Sequence, residues 1–263
     1  MYQTLFYTIL RKNISMDFNA KQATEKLVIG IRHWFKKNGD GCNAIIGLSG
    51  GKDSTIVAAA CAKAIGKDRV YGFALPDGEQ STNDADKIAS FLGIHYDVVP
   101  ITSMTKAFID SVGGVLSLTE QTRQNIPPRV RMTTLYALSQ SLNGRVIGTC
   151  NESENYIGYF TKGGDGLSDF EPIAKLTVAE LIEVGIELGI PSEWVLKKPD
   201  DGLPCSMPDD DKFAKMGFSY ALLDKYIRTG TSGNADSDKA IKTMHDRNAF
   251  KLEPVETINF YPF

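Results

Sequence analysis

Short apolar runs alternate along the chain with longer segments in which apolar residues recur at helical spacing. The apolar runs that have the length of buried strands lie at 44–48, 70–75, 96–99 and 146–149. The segments with helical spacing lie at 17–37, 55–65, 82–92, 104–112, 129–142 and 178–188. Strands that alternate with helices build a parallel sheet whose two faces are covered by helices. We therefore predict an α/β fold, a three-layer doubly wound parallel sheet.

Two stretches lack a regular period and are predicted to be loops. Residues 113–124 are polar, and residues 151–169 are rich in glycine and aromatic side chains. The pair Pro127-Pro128 should delay the start of the helix that follows, because proline cannot donate the backbone hydrogen bonds of a helix interior. No linker divides the chain, so we expect residues 17–263 to form one domain, preceded by a poorly ordered extension at 1–16.

The first strand and the second helix are joined by a turn rich in glycine and serine. The residues in and around it are Gly47, Leu48, Ser49, Gly50, Gly51, Lys52, Asp53 and Ser54. A glycine-rich turn between a strand and a helix directs backbone N–H groups and the positive end of the helix dipole at one point, which favours an anion. We therefore predict a nucleotide-phosphate site. The alternative is an ordinary turn in which Asp53 and Ser54 cap the helix.

Two better-known phosphate motifs are excluded by their spacing. The Walker-type loop needs Ser or Thr directly after its Gly-Lys pair and another glycine five residues before that pair. Here Asp53 follows Lys52, and Ile46 takes the position of the first glycine. The dinucleotide fingerprint fails as well, because no Gly-x-Gly-x-x-Gly opens the helix. The phosphate site must therefore belong to another class.

The composition is that of a protein with nearly balanced charge. With 29 basic and 32 acidic residues the net charge is -3, so we expect no binding of nucleic acid. The four cysteines form no C-x-x-C pair, which favours reduced thiols, a cytoplasmic location and no structural zinc. No apolar run reaches the ~20 residues that cross a bilayer, and residues 1–15 lack the charge order and cleavage site of a signal peptide.

Three further motifs follow in the order of the chain. They are Asn-x-x-x-Arg-x-Arg-Met at 125–132, Gly-Thr-x-Asn-x-x-Glu at 148–154 and Thr-Lys-x-Gly-Asp at 161–165. Together with the turn, they resemble the NAD synthetase family of ATP pyrophosphatases, which have the adenine nucleotide alpha-hydrolase-like fold. The resemblance runs from about Ala44 to Tyr226. It implies an enzyme that uses ATP and ammonia to amidate nicotinic acid adenine dinucleotide (deamido-NAD), the last step of NAD biosynthesis, releasing AMP and pyrophosphate through an acyl-adenylate.

The resemblance also implies a role for each site residue. The residues from Gly47 to Ser54, with Thr149, would bind ATP, and Asp53 and Glu154 would bind Mg²⁺, an ion that prefers oxygen ligands and accompanies ATP phosphates. Asp53 and Asp165 would be catalytic, Asp165 by attracting ammonium and helping it to lose a proton before attack. The residues that would bind deamido-NAD are Arg129, Lys162, Asp169 and Lys251.

Some of these residues have a structural interpretation as well. Glu154 could be a solvated loop carboxylate, and Arg129 could be an ordinary charge on a helix face. Lys162 lies among glycines, where a long side chain has little to pack against, so a ligand contact is favoured there.

The chain departs from the family pattern at several positions. Val178 stands where many relatives carry lysine, and Asp200 stands where they carry a hydroxyl, so two contacts with ATP are in doubt. Only Lys251 matches the basic C-terminal motif of the family. No amidase domain fits in the chain, so free ammonia is the expected nitrogen donor. Since the family forms homodimers with the acceptor at the subunit interface, we expect a homodimer.

Two other functions remain open. A tRNA-modifying ATP pyrophosphatase would share the turn, but it would need a basic surface for RNA and often a cysteine pair. A non-catalytic nucleotide sensor of the same fold should lose the magnesium acids while it keeps the glycines. Asp53 and Glu154 are both present, which favours an enzyme.

Overall fold

The computed structural model describes residues 18–197 and 209–254. Its strands are β1 (Asn43–Gly47), β2 (Val70–Ala74), β3 (His95–Val98) and β4 (Gly144–Val146). Its helices are α1 (Ala20–Asn38), α2 (Lys52–Ile65), α3 (Asn83–Leu92), α4 (Thr102–Gly113), α5 (Glu120–Ser141), α6 (Glu152–Ile157), α7 (Val178–Glu187), α8 (Ser192–Val195), α9 (Asp209–Met216), α10 (Tyr220–Thr229) and α11 (Ala235–Asn248). Short 3-10 turns lie at Lys67–Arg69 and Ala249–Lys251. The predicted extension at 1–16 and Asp200 fall outside the described residues.

The strands form one parallel sheet in the order β3-β2-β1-β4. The chain leaves β1 towards β2 and β3 on one side, and it then returns to place β4 on the other side of β1. The strand order therefore reverses between β1 and β4. Doubly wound folds bind their ligands in the crevice outside the carboxyl ends of the strands at such a reversal. The glycine-rich turn follows β1 and the 148–154 motif follows β4, so both open onto this crevice.

Each face of the sheet packs against a separate apolar core. Ile45 of β1 packs with Phe73 on the face that is covered by α5, where Leu135 is a neighbour. Ala44 and Ile46 belong to the larger core on the opposite face, which α1, α2 and α7 cover. All three β1 side chains are fully buried, and burying an isoleucine contributes roughly 1.5–3 kcal/mol. Helices therefore cover both faces, which confirms the predicted α/β fold.

Helix α5 begins earlier than predicted. Thr119 caps it through its side chain, and Glu120 is its first residue. The pair Pro127-Pro128 lies inside the helix and does not delay its start, so that prediction was wrong. The two prolines leave the carbonyl groups of Arg123 and Gln124 without helical partners, but both residues are exposed. Water can bind those carbonyls, which lowers the cost of the prolines.

The predicted loop at 151–169 was wrong in its first part, because α6 lies there. Asn151 caps α6 by accepting a hydrogen bond from the backbone N–H of Glu154, and the Glu154 side chain accepts one from the N–H of Asn151. This reciprocal pair is a capping box. It places Glu154 in the first turn of a helix at the crevice.

The other predicted helices and strands agree with the structure to within about three residues at each end, the usual uncertainty of element boundaries. Strand β4 is shifted towards the N-terminus relative to the prediction, and Ile147 continues it as an isolated parallel bridge to Phe170. In the described part of the chain, no helix is long and apolar enough to span a membrane.

Candidate active site

The turn after β1 has a backbone that only glycine fits. Gly50 has φ +78°, the left-handed region. A Cβ atom on Gly50 would lie 3.0 Å from Asp84 Cβ and 3.2 Å from the backbone nitrogen of Ala85. The turn is thus pressed against the first turn of α3, which fixes its position next to the crevice.

Two serine hydroxyls form hydrogen-bond contacts within the turn. The Oγ atoms of Ser49 and Ser54 lie 3.2 Å apart, and the backbone N–H of Gly51 donates to Ser49 Oγ over 3.2 Å. Gly51 is the N-cap of α2, and no side chain caps this helix. The alternative that Asp53 and Ser54 are caps is therefore wrong. The uncapped first turn presents its N–H groups and the positive end of the helix dipole to the crevice, an arrangement that favours phosphate.

Asp53 and Glu154 are brought together from opposite sides of the crevice. Asn151 links them, because its Nδ2 donates to Asp53 Oδ1 over 3.4 Å and its backbone N–H donates to Glu154 Oε2 over 3.2 Å. Burial and then the neighbouring charge of Asp53 raise the pKa of Glu154 to about 8. A buried carboxylate whose proton affinity is raised by a neighbouring carboxylate belongs to a site that favours a cation.

Lys52 offsets part of this negative charge. Its side chain is 3% exposed, its Nζ lies 3.1 Å from Asp53 Oδ2, and it also lies 5.9 Å from the centre of the Tyr220 ring. The lysine charge lowers the pKa of Glu154 in opposition to burial. Val178, the position at which the family pattern predicts a lysine, is buried at the start of α7. Lys52 therefore places a positive charge at the turn, beside the two carboxylates.

Asp165 lies close enough to Glu154 for its charge to act on that carboxyl, and it is next to the buried Cys150. The backbone N–H of Thr161 donates to Asp165 Oδ1 over 3.0 Å, and burial raises the pKa of Asp165 above its ordinary value. The Cys150 thiol contacts the Asp165 carbonyl oxygen at 3.5 Å. Burial, followed by the charges of Glu154, Asp165 and Glu171, raises the pKa of the Cys150 thiol. The thiol is therefore neutral and lies among carboxylates.

Glu171 is a site residue that the sequence motifs did not identify. Burial, followed by the charge of Asp165, raises its pKa, although a hydrogen bond from Asn155 acts in the opposite direction. Its side chain fills the space beside Gly148, where a Cβ atom would lie 2.7 Å from Glu171 Cγ. No spacing rule indicates Glu171, because the bridge between Ile147 and Phe170 is what brings it there.

Asp169 and Lys251 both line a cleft of about 400 Å³. Asp169 Oδ2 accepts from the N–H of Val146 over 2.8 Å, so this carboxylate lies at the carboxyl end of β4. Lys251 Nζ donates to the carbonyl oxygens of Gly158 and Phe160 over 2.7 and 3.1 Å. The cleft lining includes Asn155, Phe160, Ser168, Asp169, Glu171 and Lys251.

Arg129 and Lys162 lie together, but they are not among the residues that line this cleft. Arg129 Nε donates to the Lys162 carbonyl oxygen over 3.3 Å. Lys162 Nζ donates to the carbonyl oxygen of Phe250 over 3.1 Å and lies 5.2 Å from the centre of that ring. Thr149 is half-buried between β4 and α6, beside the carboxyl end of the sheet. The predicted site residues thus divide between the turn, the cleft and this pair.

A buried hydrogen-bond network holds α6 in place. Ser153 Oγ donates to Asp224 Oδ1 over 2.5 Å and accepts from the N–H of Val178 over 3.1 Å. Asp224 Oδ2 accepts from the N–H of Ala179 over 2.9 Å. One turn further along α10, Arg228 forms ion pairs with Glu152 of α6 and Glu180 of α7. Helix α10 therefore connects the first turns of α6 and α7, and through α6 it holds Glu154 in position.

We expect an Asp224→Asn variant to show what this buried carboxylate contributes at each pH. Burial raises the pKa of Asp224 from 3.8 to about 6, so the folded state binds the proton more tightly than the unfolded state does. The stabilisation from Asp224 is therefore complete below the ordinary pKa and is lost as pH rises through about 6. The difference corresponds to about 3 kcal/mol at most.

Urea unfolding of both proteins between about pH 4 and pH 7 measures this effect. The stability advantage of the wild type over the variant should shrink as pH rises, because asparagine does not titrate. An advantage that stays constant over this range would contradict the assignment.

Comparisons with known proteins agree with this geometry. The family model described as NAD synthase matches residues 23–257. An NH3-dependent NAD+ synthetase from Methanosarcina acetivorans is 37% identical over 232 residues, which cover 86% of this chain and 88% of that protein. The structure of an NMN synthetase from Francisella tularensis has a TM-score of 0.83 and 32% identity, covering 93% of this chain and 100% of that one.

The structure of an NH3-dependent NAD synthetase from Campylobacter jejuni, in complex with the nitrate ion, has a TM-score of 0.74 and 28% identity. It covers 92% of this chain and 100% of that one. The family model spans the turn, both carboxylates of the crevice and the cleft. On these grounds the chain belongs to the NAD synthase family.

Proposed function

We propose that this protein converts deamido-NAD to NAD by ATP-dependent amidation with ammonia. The observation that carries the proposal is the meeting of Asp53 and Glu154 beside an uncapped helix N-terminus, at the point where the strand order reverses. That arrangement can hold a nucleotide triphosphate and its cation together. Membership in the NAD synthase family favours this function over the tRNA-modifying and sensor alternatives.

The turn residues would bind the β- and γ-phosphates of ATP through the N–H groups of α2 and the hydroxyls of Ser49 and Ser54. Asp53 and Glu154 suit Mg²⁺, which typically binds through one or two carboxylates and the substrate phosphates. When bound, this ion would neutralise charge on the leaving pyrophosphate. Thr149, at the carboxyl end of the sheet, would contact the nucleotide. The protein's contribution is alignment and charge stabilisation, with no nucleophilic side chain.

The acceptor carboxylate would lie between the turn and the cleft. Its oxygen attacks the α-phosphorus of ATP, the α–β bond breaks and pyrophosphate leaves. Ammonia then attacks the acyl carbon, and AMP leaves with the oxygen. Asp165 has a raised pKa, which suits a carboxylate that attracts ammonium and accepts its proton. Asp169 and Lys251 at the cleft, with Arg129 and Lys162 at the adjacent pair, would hold the acceptor.

A second candidate acceptor is nicotinic acid mononucleotide. The high structural similarity to the Francisella tularensis protein described as an NMN synthetase favours it. Both acceptors have the same carboxylate, so the reaction would be unchanged and only the acceptor site would differ. Assays with ATP, Mg²⁺ and ammonium that compare the two acceptors at equal concentration test this point. If kcat/KM is higher for the mononucleotide than for deamido-NAD, the mononucleotide is the substrate and our proposal of deamido-NAD is wrong.

We propose that the protein is a homodimer in the cytoplasm. Met104 and Phe108 lie four residues apart on α4, so they share one face, and both are exposed. Val115 and Leu116, just after α4, are 84% and 57% exposed. Apolar side chains exposed so close together are typical of an interaction surface. Light scattering on an active preparation should give the mass of two chains, and the mass of one chain would contradict the proposal.

A further inference from the structure

Lys197 connects the phosphate turn to α3. It follows α8, and its Nζ lies 2.6 Å from Asp84 Oδ2 and 3.3 Å from the Gly50 carbonyl oxygen. Asp84 belongs to the first turn of α3, the same turn that a Cβ atom on Gly50 would touch. The lysine and aspartate side chains are 38% and 41% exposed. Exposed ion pairs contribute little to stability, so stability alone does not account for this contact with the turn.

The hydrogen bond from Lys197 to the Gly50 carbonyl also determines the direction of the Gly51 N–H group. The carbonyl of Gly50 and the N–H of Gly51 belong to one planar trans peptide, in which they point in opposite directions. Glycine readily adopts alternative backbone angles, so this peptide can rotate unless it is held. Lys197 binds the carbonyl on the side of α3. The N–H of Gly51 is thereby directed away from α3, and it donates to Ser49 Oγ.

We propose that Lys197, held by Asp84, is a positioning residue that fixes the Gly50–Gly51 peptide in the orientation that binds the phosphates of ATP. The proposal rests on the proposed function of the turn as the ATP site. Lys197 acts through the backbone, since its ammonium donates to the Asp84 carboxylate and to the Gly50 carbonyl. Direct binding of phosphate by the lysine is the alternative that the test separates from this role. The hydrogen bond from Lys197 also lowers the pKa of Asp84.

The test compares Lys197→Met, Asp84→Asn, the double variant and Lys197→Arg. Calorimetry measures the Kd of Mg²⁺-ATP, and steady-state kinetics measures KM for ATP and kcat. We expect each single variant to raise Kd and KM about tenfold with a smaller change in kcat, because the turn loses its orientation but not its charges. The double variant should be no worse than either single variant. Lys197→Arg should retain most of the affinity.

The matched control is Lys242→Met. It breaks another exposed lysine–aspartate pair, Lys242 with Asp246 at 2.9 Å, within α11. It should leave ATP binding unchanged. Unchanged ATP affinity in Lys197→Met would overturn the proposal. A rise in Kd for Lys197→Met with none for Asp84→Asn would mean that the lysine binds phosphate directly, which also overturns it.

These outcomes are distinct from failure of the proposed function. The binding measurement does not require turnover, so it tests the lysine whichever acceptor is used. A wild-type protein that binds ATP but forms no amide would refute the proposed reaction alone.

Discussion

Replacing Asp53 by asparagine will abolish acceptor-dependent AMP formation, with a loss of about a thousandfold or more in kcat/KM. Asp53 lies beside Glu154 and Lys52 in the crevice, and its carboxylate supplies one of the two negative charges that a cation would need there. Asparagine keeps the shape of the side chain and can still contact Asn151. It removes the charge on which the proposed binding of the Mg²⁺-ATP complex depends.

The same variant should fold normally, since Asp53 is in the first turn of α2 but caps nothing. Asp53→Asn removes one charged partner of the buried Lys52, but Glu154 still offsets the lysine charge. Thermal unfolding should therefore remain cooperative with a modest shift, which separates a loss of chemistry from a loss of structure. Removing the neighbouring negative charge should also lower the pKa of Glu154, because that charge is one cause of its rise. A variant that is folded and retains wild-type AMP formation would remove Asp53 from the cation site.

Replacing Gly50 by alanine should reduce kcat/KM for ATP by about a hundredfold. The left-handed backbone at φ +78° costs an alanine roughly 1–2 kcal/mol. In addition, its Cβ atom would press on Asp84 Cβ and on the Ala85 backbone, which cannot move without shifting α3. The turn must move away from α3, and a displacement of about 1 Å in groups that position a substrate can cost a factor of 10².

Gly41→Ala is the matched control for this variant. Gly41 has φ +76°, close to that of Gly50, but a Cβ atom there would meet nothing within 4 Å. Gly41→Ala should lose only the stability that the left-handed backbone costs, whereas Gly50→Ala should lose more in urea unfolding because of the added contact with α3. Only Gly50→Ala should lose activity. Equal kinetic constants for the two variants would show that contact between the turn and α3 is unimportant for ATP.

Local patterns in the sequence were sufficient for the sheet and for most of the helices. The apolar run at 44–48 is buried on both faces because β1 is central, and such strands are recognisable from length and composition. The turn at Ser49 to Ser54 was also recognisable, because glycines and serines between a strand and a helix are a local pattern. The uncapped start of α2 was not predicted, since Asp53 and Ser54 were candidate caps.

The elements that were missed depend on contacts between distant parts of the chain or on weak local signals. Pro127-Pro128 made a helix start before residue 127 look unfavourable. The free-energy cost of the two prolines inside α5 is lowered because the residues whose carbonyls lose their helical partners are exposed. Helix α6 had a usable signal, since Asn151 and Glu154 have the spacing of a capping box. No local signal in the sequence indicated Glu171 or Asp224. The position of Glu171 depends on the bridge between Phe170 and Ile147, and that of Asp224 depends on the packing of α10 against α6.

The most direct test of the proposed reaction is the stoichiometry of its products. Purified protein with ATP, Mg²⁺, ammonium and deamido-NAD should form NAD, AMP and pyrophosphate in equal amounts, and omission of the acceptor should stop AMP formation. This result follows if the turn and the two carboxylates hold ATP for cleavage between its α- and β-phosphates. Formation of ADP and phosphate, or AMP formation that is independent of the acceptor, would contradict the account.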